Sequence, residues 1–163
     1  MKFFLKQSAS VILFMSACVS AVPAVAADHA SAADTQEIRD LFLRQAAAAT
    51  AHDIDAIDRV LAHAAPGQPD PVSFIARSYQ FWGREAVMEH FRAIFKGTWR
   101  FEPQQDAIRI VPLNADAAHI YAPTKVTFGA AGKLAVTAIF LMSETAIRTP
   151  DGWRIATIVP VPA

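Results

Sequence analysis

Three segments of the chain carry apolar residues at the spacing of one helical face. The first covers residues 28 to 51, where Asp34 followed by Glu37 is typical of a capping box. The second begins after the helix-capping residue Asp53 and ends near His63. The apolar positions are Ile38, Leu41 and Phe42 in the first segment and Ile54, Ile57, Val60 and Leu61 in the second. This pattern predicts two consecutive helices.

The third helical segment lies in QFWGREAVMEHFRAIF, which brings an indole, a guanidinium, two carboxylates and an imidazole close together. It begins at Gly83 and ends at Lys96 and Gly97. Glu85 is in the first turn, where the helix dipole favours an anion. His90 lies about 100° from the centre of the apolar stripe, at the boundary of the core. His90 therefore either bonds a backbone group or water there, or faces a pocket.

From Trp99 onward the apolar spacing changes to that of strands. DAIRIVPL, AAHIYAPTKVTF, KLAVTAIFLMSETAI and WRIATIVPV are separated by turns, and the run from Thr149 to Gly152 is typical of a hairpin turn. A shorter strand, VSFIA, follows the proline-rich loop AAPGQPDP and precedes the third helix. Helices followed by a largely antiparallel sheet predict an α+β protein.

The predicted strand that contains Phe140 is apolar on both faces. Phe140 and Met142 lie on one face, whereas Ile139 and Leu141 lie on the other. A single layer of helices covers only one face of a sheet, so the other face must meet another subunit or a bend of the same sheet. We expect a homodimer that forms through this second face.

Residues 1–27 have the pattern of a secretory signal peptide. Lys2 and Lys6 precede the apolar run VILFMSACVSAV, and PAVAA supplies the small residues that a signal peptidase reads. We expect cleavage after Ala26 or Ala27, which leaves residues 28–163 as one domain. The mature protein is then expected in the periplasm or outside the cell.

The only cysteine of the sequence, Cys18, suggests an alternative way in which the N-terminus is processed. The stretch MSAC resembles the lipobox of bacterial lipoproteins, so a lipid anchor at Cys18 is the alternative to cleavage further on. In either case the mature domain has no disulfide and no thiol nucleophile. No other segment approaches the roughly 20 apolar residues that a membrane helix needs, so no transmembrane segment is expected in the mature chain.

Composition and charge exclude several classes of function. The 163 residues include 53% hydrophobic ones, which suits one compact domain, and the net charge is zero, which leaves no basic field for nucleic acid. The five histidines lack the spacing of a zinc site, and the chain has no glycine-rich phosphate loop. We therefore expect no metal, no cofactor and no nucleic-acid partner.

Three stretches resemble the nuclear-transport-factor-2-like superfamily, in particular its bacterial SnoaL-like members. They are HDIDAIDRVLA, WGREAVMEHF and TPDGWRI, and the resemblance covers about residues 34 to 160. It implies a cone-shaped fold in which three N-terminal helices pack on a curved antiparallel or mixed sheet around a pocket. It also implies dimerisation through the sheet. The loop AAPGQPDP departs from the short acidic turn that is usual in relatives.

The resemblance also implies where ketosteroid isomerases of this superfamily hold their catalytic groups. Their base would come from the strand before the third helix, yet no acidic residue occurs between Asp70 and Glu85. Their acidic partner would fall near Phe140, and their helical tyrosine near Gln45. All three groups are therefore expected to be absent.

Six polar and aromatic residues remain that could line a pocket and orient a mostly apolar small molecule. They are Gln45, Tyr79, Trp82, His90, His119 and Tyr121. His119 and Tyr121 are two apart on one strand and so share a face. The alternative is that the aromatic residues belong to the core or to a dimer interface.

The sequence favours an exported small-molecule-binding domain and leaves catalysis open. One alternative is an isomerase, cyclase or hydratase that acts on an apolar carbonyl compound, with His90 or His119 as the acid or base. The other is a structural dimerisation domain whose cavity is filled by side chains. Cavity volume distinguishes this last alternative from the other two.

Overall fold

The computed structural model describes residues 30–77 and 79–163, so the predicted signal peptide and Cys18 lie outside the described residues. Within these ranges the chain forms three α-helices, one short 3-10 helix (Gln105–Ala107) and seven strands. The helices are α1 (Ala32–Ala51), α2 (Ile54–Val60) and α3 (Arg84–Ile94). The strands are β1 (Ser73–Ala76), β2 (Tyr79–Trp82), β3 (Thr98–Pro103), β4 (Arg109–Pro112), β5 (Ala117–Gly129), β6 (Val136–Thr149) and β7 (Gly152–Pro162).

The strands form one mixed sheet in the order β2-β1-β7-β6-β5-β3, and β4 also pairs with β5. Strand β1 runs parallel to β7, whereas the other pairings are antiparallel. The predicted α+β class and mixed sheet are confirmed. The prediction of three N-terminal helices needs correction, because β1 and β2 come before α3. The cone shape stays a prediction.

Helix α1 begins with a capping box that differs from the predicted pair of Asp34 and Glu37. The Ser31 hydroxyl accepts a hydrogen bond from the Asp34 amide, and the Asp34 carboxylate accepts one from the Ser31 amide. Asp34 also accepts hydrogen bonds from Arg148 and from the Trp153 indole, 3.1 Å away. Arg148, with Ser31 and Trp153, holds the pKa of Asp34 well below its usual range. Asp34 therefore ties the start of α1 to the β6–β7 hairpin.

Helix α3 is capped from the proline-rich loop. Gly83 has a φ of 85° and no side chain to offer, so the Asp70 carboxylate accepts a hydrogen bond from the Arg84 amide at 2.8 Å. The other oxygen of Asp70 accepts one from the Val72 amide at 2.9 Å. The Arg84 guanidinium forms an ion pair with Asp58 of α2. Asp70 and Arg84 thus have structural roles at the start of α3, as a helix cap and as an ion-pair partner.

The core lies on one face of the sheet, under α1 and α3. In β6, Met142, Glu144 and Ala146 are buried on this face. Phe42 of α1 and Trp153 of β7 are the largest fully buried side chains of the described chain. The alternation of buried and less buried residues along β5 and β6 follows the period of two that the sequence predicted.

Strand β2 was not predicted from the sequence. It has only four residues, and Tyr79 and Trp82 are exposed on it. It pairs antiparallel with β1, and Arg77, directly after β1, has a φ of 51°. The pairing places Ala76 opposite Tyr79 and Ser73 opposite Trp82. Strand β2 is therefore an edge strand at one end of the sheet.

Candidate functional site

A cavity of about 300 Å³ lies between α1, α3 and the core face of the sheet. Its walls are mostly apolar and come from both helices and from six strands. The sheet contributes Phe74, Phe101, Val126, Phe128, Phe140 and Met142, among others. The side chains do not fill this space, which argues against the alternative of a structural domain with a filled cavity.

Burial along the strands shows which end of the cavity is open. On β6, Met142 is buried and Phe140 is only partly buried; on β7, Ile158 is buried and Pro162 is exposed. All four line the cavity. The inner end therefore lies beside Met142 and Gln45, and the mouth lies toward the end of β7.

Three of the six predicted site residues line this cavity. Gln45 is buried at the inner end, His90 is half-buried in the wall, and Tyr79 is 62% exposed at the mouth. Gln45 projects from α1, and Ala49, one turn later, lines the same cavity. The structure thus brings Gln45, His90 and Tyr79 around one space. Their binding of a ligand stays a prediction.

The structure does not place Trp82, His119 or Tyr121 at the cavity. His119 and Tyr121 do share a face of β5, but their neighbours Ala118 and Ile120 are the ones that point into the core. They therefore lie on the outer face of the sheet. Trp82 is 65% exposed on the edge strand β2. The residues chosen from sequence need this correction, because strand alternation gives a shared face without telling which face is inside.

His90 is held between aromatic rings. Its imidazole centroid lies 4.4 Å from that of Phe81 and 4.6 Å from that of Phe74. Burial among these rings lowers the pKa of His90 below its ordinary value. The imidazole is therefore uncharged at neutral pH.

Glu144 is the functional candidate that the sequence did not reveal. It lies on β6, is almost completely buried, and accepts a hydrogen bond of 3.2 Å from Nε2 of Gln45. Burial raises the pKa of Glu144 to about 8, although the bond from Gln45 acts in the opposite direction. At neutral pH this carboxyl is therefore mostly protonated and uncharged.

The resemblance placed an acidic partner near Phe140 and a tyrosine near Gln45, and both were expected to be absent. Glu144 lies four residues beyond Phe140 on the same face of β6, in direct contact with Gln45. This strand therefore carries one buried acidic group, four residues from the position that the resemblance implied. A signal was present in the sequence, since Phe140, Met142, Glu144 and Ala146 alternate on one face and only one of them is ionisable.

Three buried polar atoms around the cavity have no hydrogen-bond partner among the residues that the structure describes. They are Oε1 of Gln45, Oε2 of Glu144 and Nε1 of Trp99. Trp99 lines the cavity from β3, beside Phe128 at a ring distance of 6.4 Å. Buried polar groups are rarely left without a partner in proteins. Gln45 and Trp99 line the cavity, and Glu144 contacts Gln45, so the unused hydrogen-bonding capacity lies in or next to the cavity wall.

The cavity wall holds a neutral imidazole, which can accept a proton, and its lining residue Gln45 contacts an uncharged carboxyl, which can donate a hydrogen bond. In the described ranges, no three His, Cys, Asp or Glu side chains come together as metal ligands. None of the helices there has the length and apolar character needed to cross a membrane.

The model of the SnoaL-like domain family matches residues 38–159, so the chain belongs to this family. No curated protein matches the chain. Among solved structures, a nuclear-transport-factor-2-like superfamily protein from Salmonella enterica has a TM-score of 0.68 and 19% identity, covering 80% of this chain and 92% of the other.

Two further structures show the same fold. A ketosteroid isomerase-like protein from Erwinia carotovora has a TM-score of 0.65 and 15% identity, and the match covers 81% of this chain and 98% of that one. A nuclear-transport-factor-2-like protein of unknown function from Pseudomonas putida has a TM-score of 0.64 and 19% identity, with coverages of 81% and 88%. At these identities the likeness concerns the fold.

Proposed function

We propose that the chain binds a mostly apolar small molecule in the cavity between α1, α3 and the sheet. The observation that carries this proposal is the combination of apolar walls with a few polar atoms at the inner end. Small-molecule sites commonly have this composition, because apolar walls supply most of the affinity and few polar groups fix orientation. The cavity volume of about 300 Å³ suits a ligand of two fused rings.

Filling the cavity is expected to remove binding. Ala49 is buried and lines the cavity from α1, so Ala49→Leu places three extra carbon atoms in the ligand's space. Ala47 is exposed on another face of the same helix, and Ala47→Leu is the matched control. We expect 2-acetylnaphthalene to bind the wild-type protein and Ala47→Leu alike, and to bind Ala49→Leu at least about tenfold more weakly. Calorimetric titration measures this.

Equal binding to the wild-type protein and to Ala49→Leu, with both variants folded by circular dichroism, would place the ligand elsewhere. No binding of 2-acetylnaphthalene to the wild-type protein at its solubility limit would contradict the proposed function itself.

We also propose that the protein is exported. The support is the sequence of residues 1–27, with its positive start, apolar run and small residues before the cleavage site. Expression of the full chain in a bacterial host, followed by intact mass measurement, is expected to give a protein that begins at Ala27 or Asp28. A species that begins at a lipid-modified Cys18 would replace this proposal with the anchored alternative, and an unprocessed Met1 would contradict both.

We further propose that two chains associate through the outer face of the sheet. Val111, Ile139 and Val161 are exposed apolar residues on β4, β6 and β7, and Leu141 pairs with Val161 on the same face. The outer face also carries Tyr121. An apolar sheet face of this kind is commonly covered by a second subunit.

Charge on this face is expected to separate the subunits. Ile139→Arg puts a cation in the centre of the proposed interface, where its burial is costly. Leu134→Arg is the matched control, because Leu134 is 97% exposed in the β5–β6 connection. Light scattering coupled to size exclusion should give about twice the monomer mass for the wild-type protein and Leu134→Arg, and the monomer mass for Ile139→Arg. A monomeric wild-type protein would contradict the proposal.

A further inference from the structure

We propose that the inner end of the cavity selects a neutral ligand group that carries a hydrogen-bond acceptor and a donor side by side, as in a primary amide. This inference rests on the proposed function and adds the chemistry of the ligand's head group. It follows from the hydrogen-bonding capacity that Gln45 and Glu144 leave unused.

Gln45 and Glu144 form one hydrogen bond with each other, and one oxygen atom of each side chain has no partner among the described residues. Nε2 of Gln45 donates to Oε1 of Glu144 at 3.2 Å, while Oε1 of Gln45 and Oε2 of Glu144 have no partner in the described part of the chain. Because Oε1 of Glu144 accepts a hydrogen bond, the proton of the uncharged carboxyl belongs on Oε2. The pair therefore offers a donor on Glu144 and an acceptor on Gln45, in addition to the second N–H of the Gln45 amide.

This result does not depend on the orientation of the Gln45 amide. If the amide is turned over, the Glu144 hydroxyl donates to Oε1 of Gln45, and the unused groups are the two N–H groups of Gln45 and a carboxyl oxygen of Glu144. A donor and an acceptor again remain. The selectivity of the pair is the same in both arrangements.

The pair meets the cavity at Gln45. Gln45 lines the cavity and bonds Glu144, which is not itself a lining residue, while Met142, two residues before Glu144 on the same face of β6, also lines the cavity. The terminal torsion of glutamine is soft, so the amide can turn to admit a head group. A buried polar pair that already lacks two partners gains both of them when such a group enters.

Other head groups match the pair less well. A methyl ketone accepts from Glu144 but offers nothing to the acceptor on Gln45. A carboxylate presents only acceptors and would also carry its charge into an apolar site. A primary amide donates through its N–H and accepts through its carbonyl oxygen, so it satisfies both atoms at once.

The test compares two probes of nearly equal shape, 2-naphthamide and 2-acetylnaphthalene. The wild-type protein is expected to bind the amide about tenfold more tightly, since one additional buried hydrogen bond forms. Glu144→Gln keeps a donor and an acceptor at that position and should keep the preference. Gln45→Met and Glu144→Met preserve the volume but remove the polar atoms, and each should reduce the preference to about threefold or less.

Each outcome bears on one claim. If both probes bind the wild-type protein equally, Gln45 and Glu144 close on each other as an internal pair; the head-group inference is then wrong and the cavity proposal stands. A preference that persists in both methionine variants would also overturn the inference. If neither probe binds, the proposed function fails and the inference fails with it. The wild-type comparison decides the question even if a methionine variant does not fold.

Discussion

Raising the pH from about 5 to about 9 is expected to lower the free energy of unfolding of the wild-type protein by about 4 kcal/mol, because Glu144 loses its proton. The variant Glu144→Gln is expected to lack this loss of stability. The pKa of Glu144 is about 8 in the folded protein, against an ordinary value of 4.5. Between these values the folded state holds a proton that the unfolded state has released. Stability contributed by Glu144 is therefore fully present below pH 4.5 and is lost as the pH rises through 8.

Urea unfolding at a series of pH values measures this effect as the difference between the wild-type protein and Glu144→Gln. The comparison is needed because His90 acts with the opposite sign. Its lowered pKa destabilises the folded state as the pH falls below the ordinary histidine value, equally in both proteins. Parallel stability curves for the two proteins would mean that Glu144 is ionised and solvated in the folded state.

Phe91→Ala is expected to cost about 3 to 5 kcal/mol of stability, whereas His90→Ala is expected to cost less than half of that. Phe91 is only 3% exposed and packs its ring against those of Phe74 and Phe95, with centroid distances of 6.1 and 5.7 Å. Both side chains line the cavity, but His90 is only half-buried, so its truncation removes less buried surface than that of Phe91.

Trp82→Ala serves as the exposed control and should change neither stability nor binding, because Trp82 lies outside the cavity. His90→Ala is expected to weaken the binding of 2-acetylnaphthalene while the protein stays folded. Urea unfolding and calorimetric titration on the three variants measure both properties. If His90→Ala unfolds as readily as Phe91→Ala and its folded fraction binds with normal affinity, the imidazole belongs to the core and not to a binding site.

The sequence predicted the parts of the fold that depend on local periodicity. The helical stripe of α3 and the alternation of β5 and β6 were visible because each buries one face, and burial imposes a period on the sequence. Strand β2 was missed because its four residues show no such period and depend on pairing with β1. The capping box of α1 begins at Ser31 and not at the predicted Asp34. Asp34 has two other roles, because it completes the box with Ser31 and accepts a hydrogen bond from Trp153 of β7.

The site was only partly visible for a related reason. The outer and inner faces of the sheet are both apolar, so the sequence could not tell that His119 and Tyr121 point outward. His90 was identified because it lies at the edge of the apolar stripe of α3, where the core meets solvent or a pocket. Glu144 was overlooked because a single acidic residue in a strand is usually exposed, and only the tertiary contact with Gln45 shows that it is buried and uncharged.

The most direct test of a ligand cavity that ends at an uncharged Glu144 is the titration of the Glu144 carboxyl by carbon-13 nuclear magnetic resonance, with and without saturating 2-naphthamide. The signal is assigned by its loss in Glu144→Gln. We predict a titration midpoint near pH 8 in the free protein, since burial raises the pKa of Glu144 to about 8. With 2-naphthamide bound we predict a higher midpoint, because a ligand that accepts a hydrogen bond from the carboxyl stabilises its protonated form. A midpoint near 4.5 that does not respond to the amide would contradict the account.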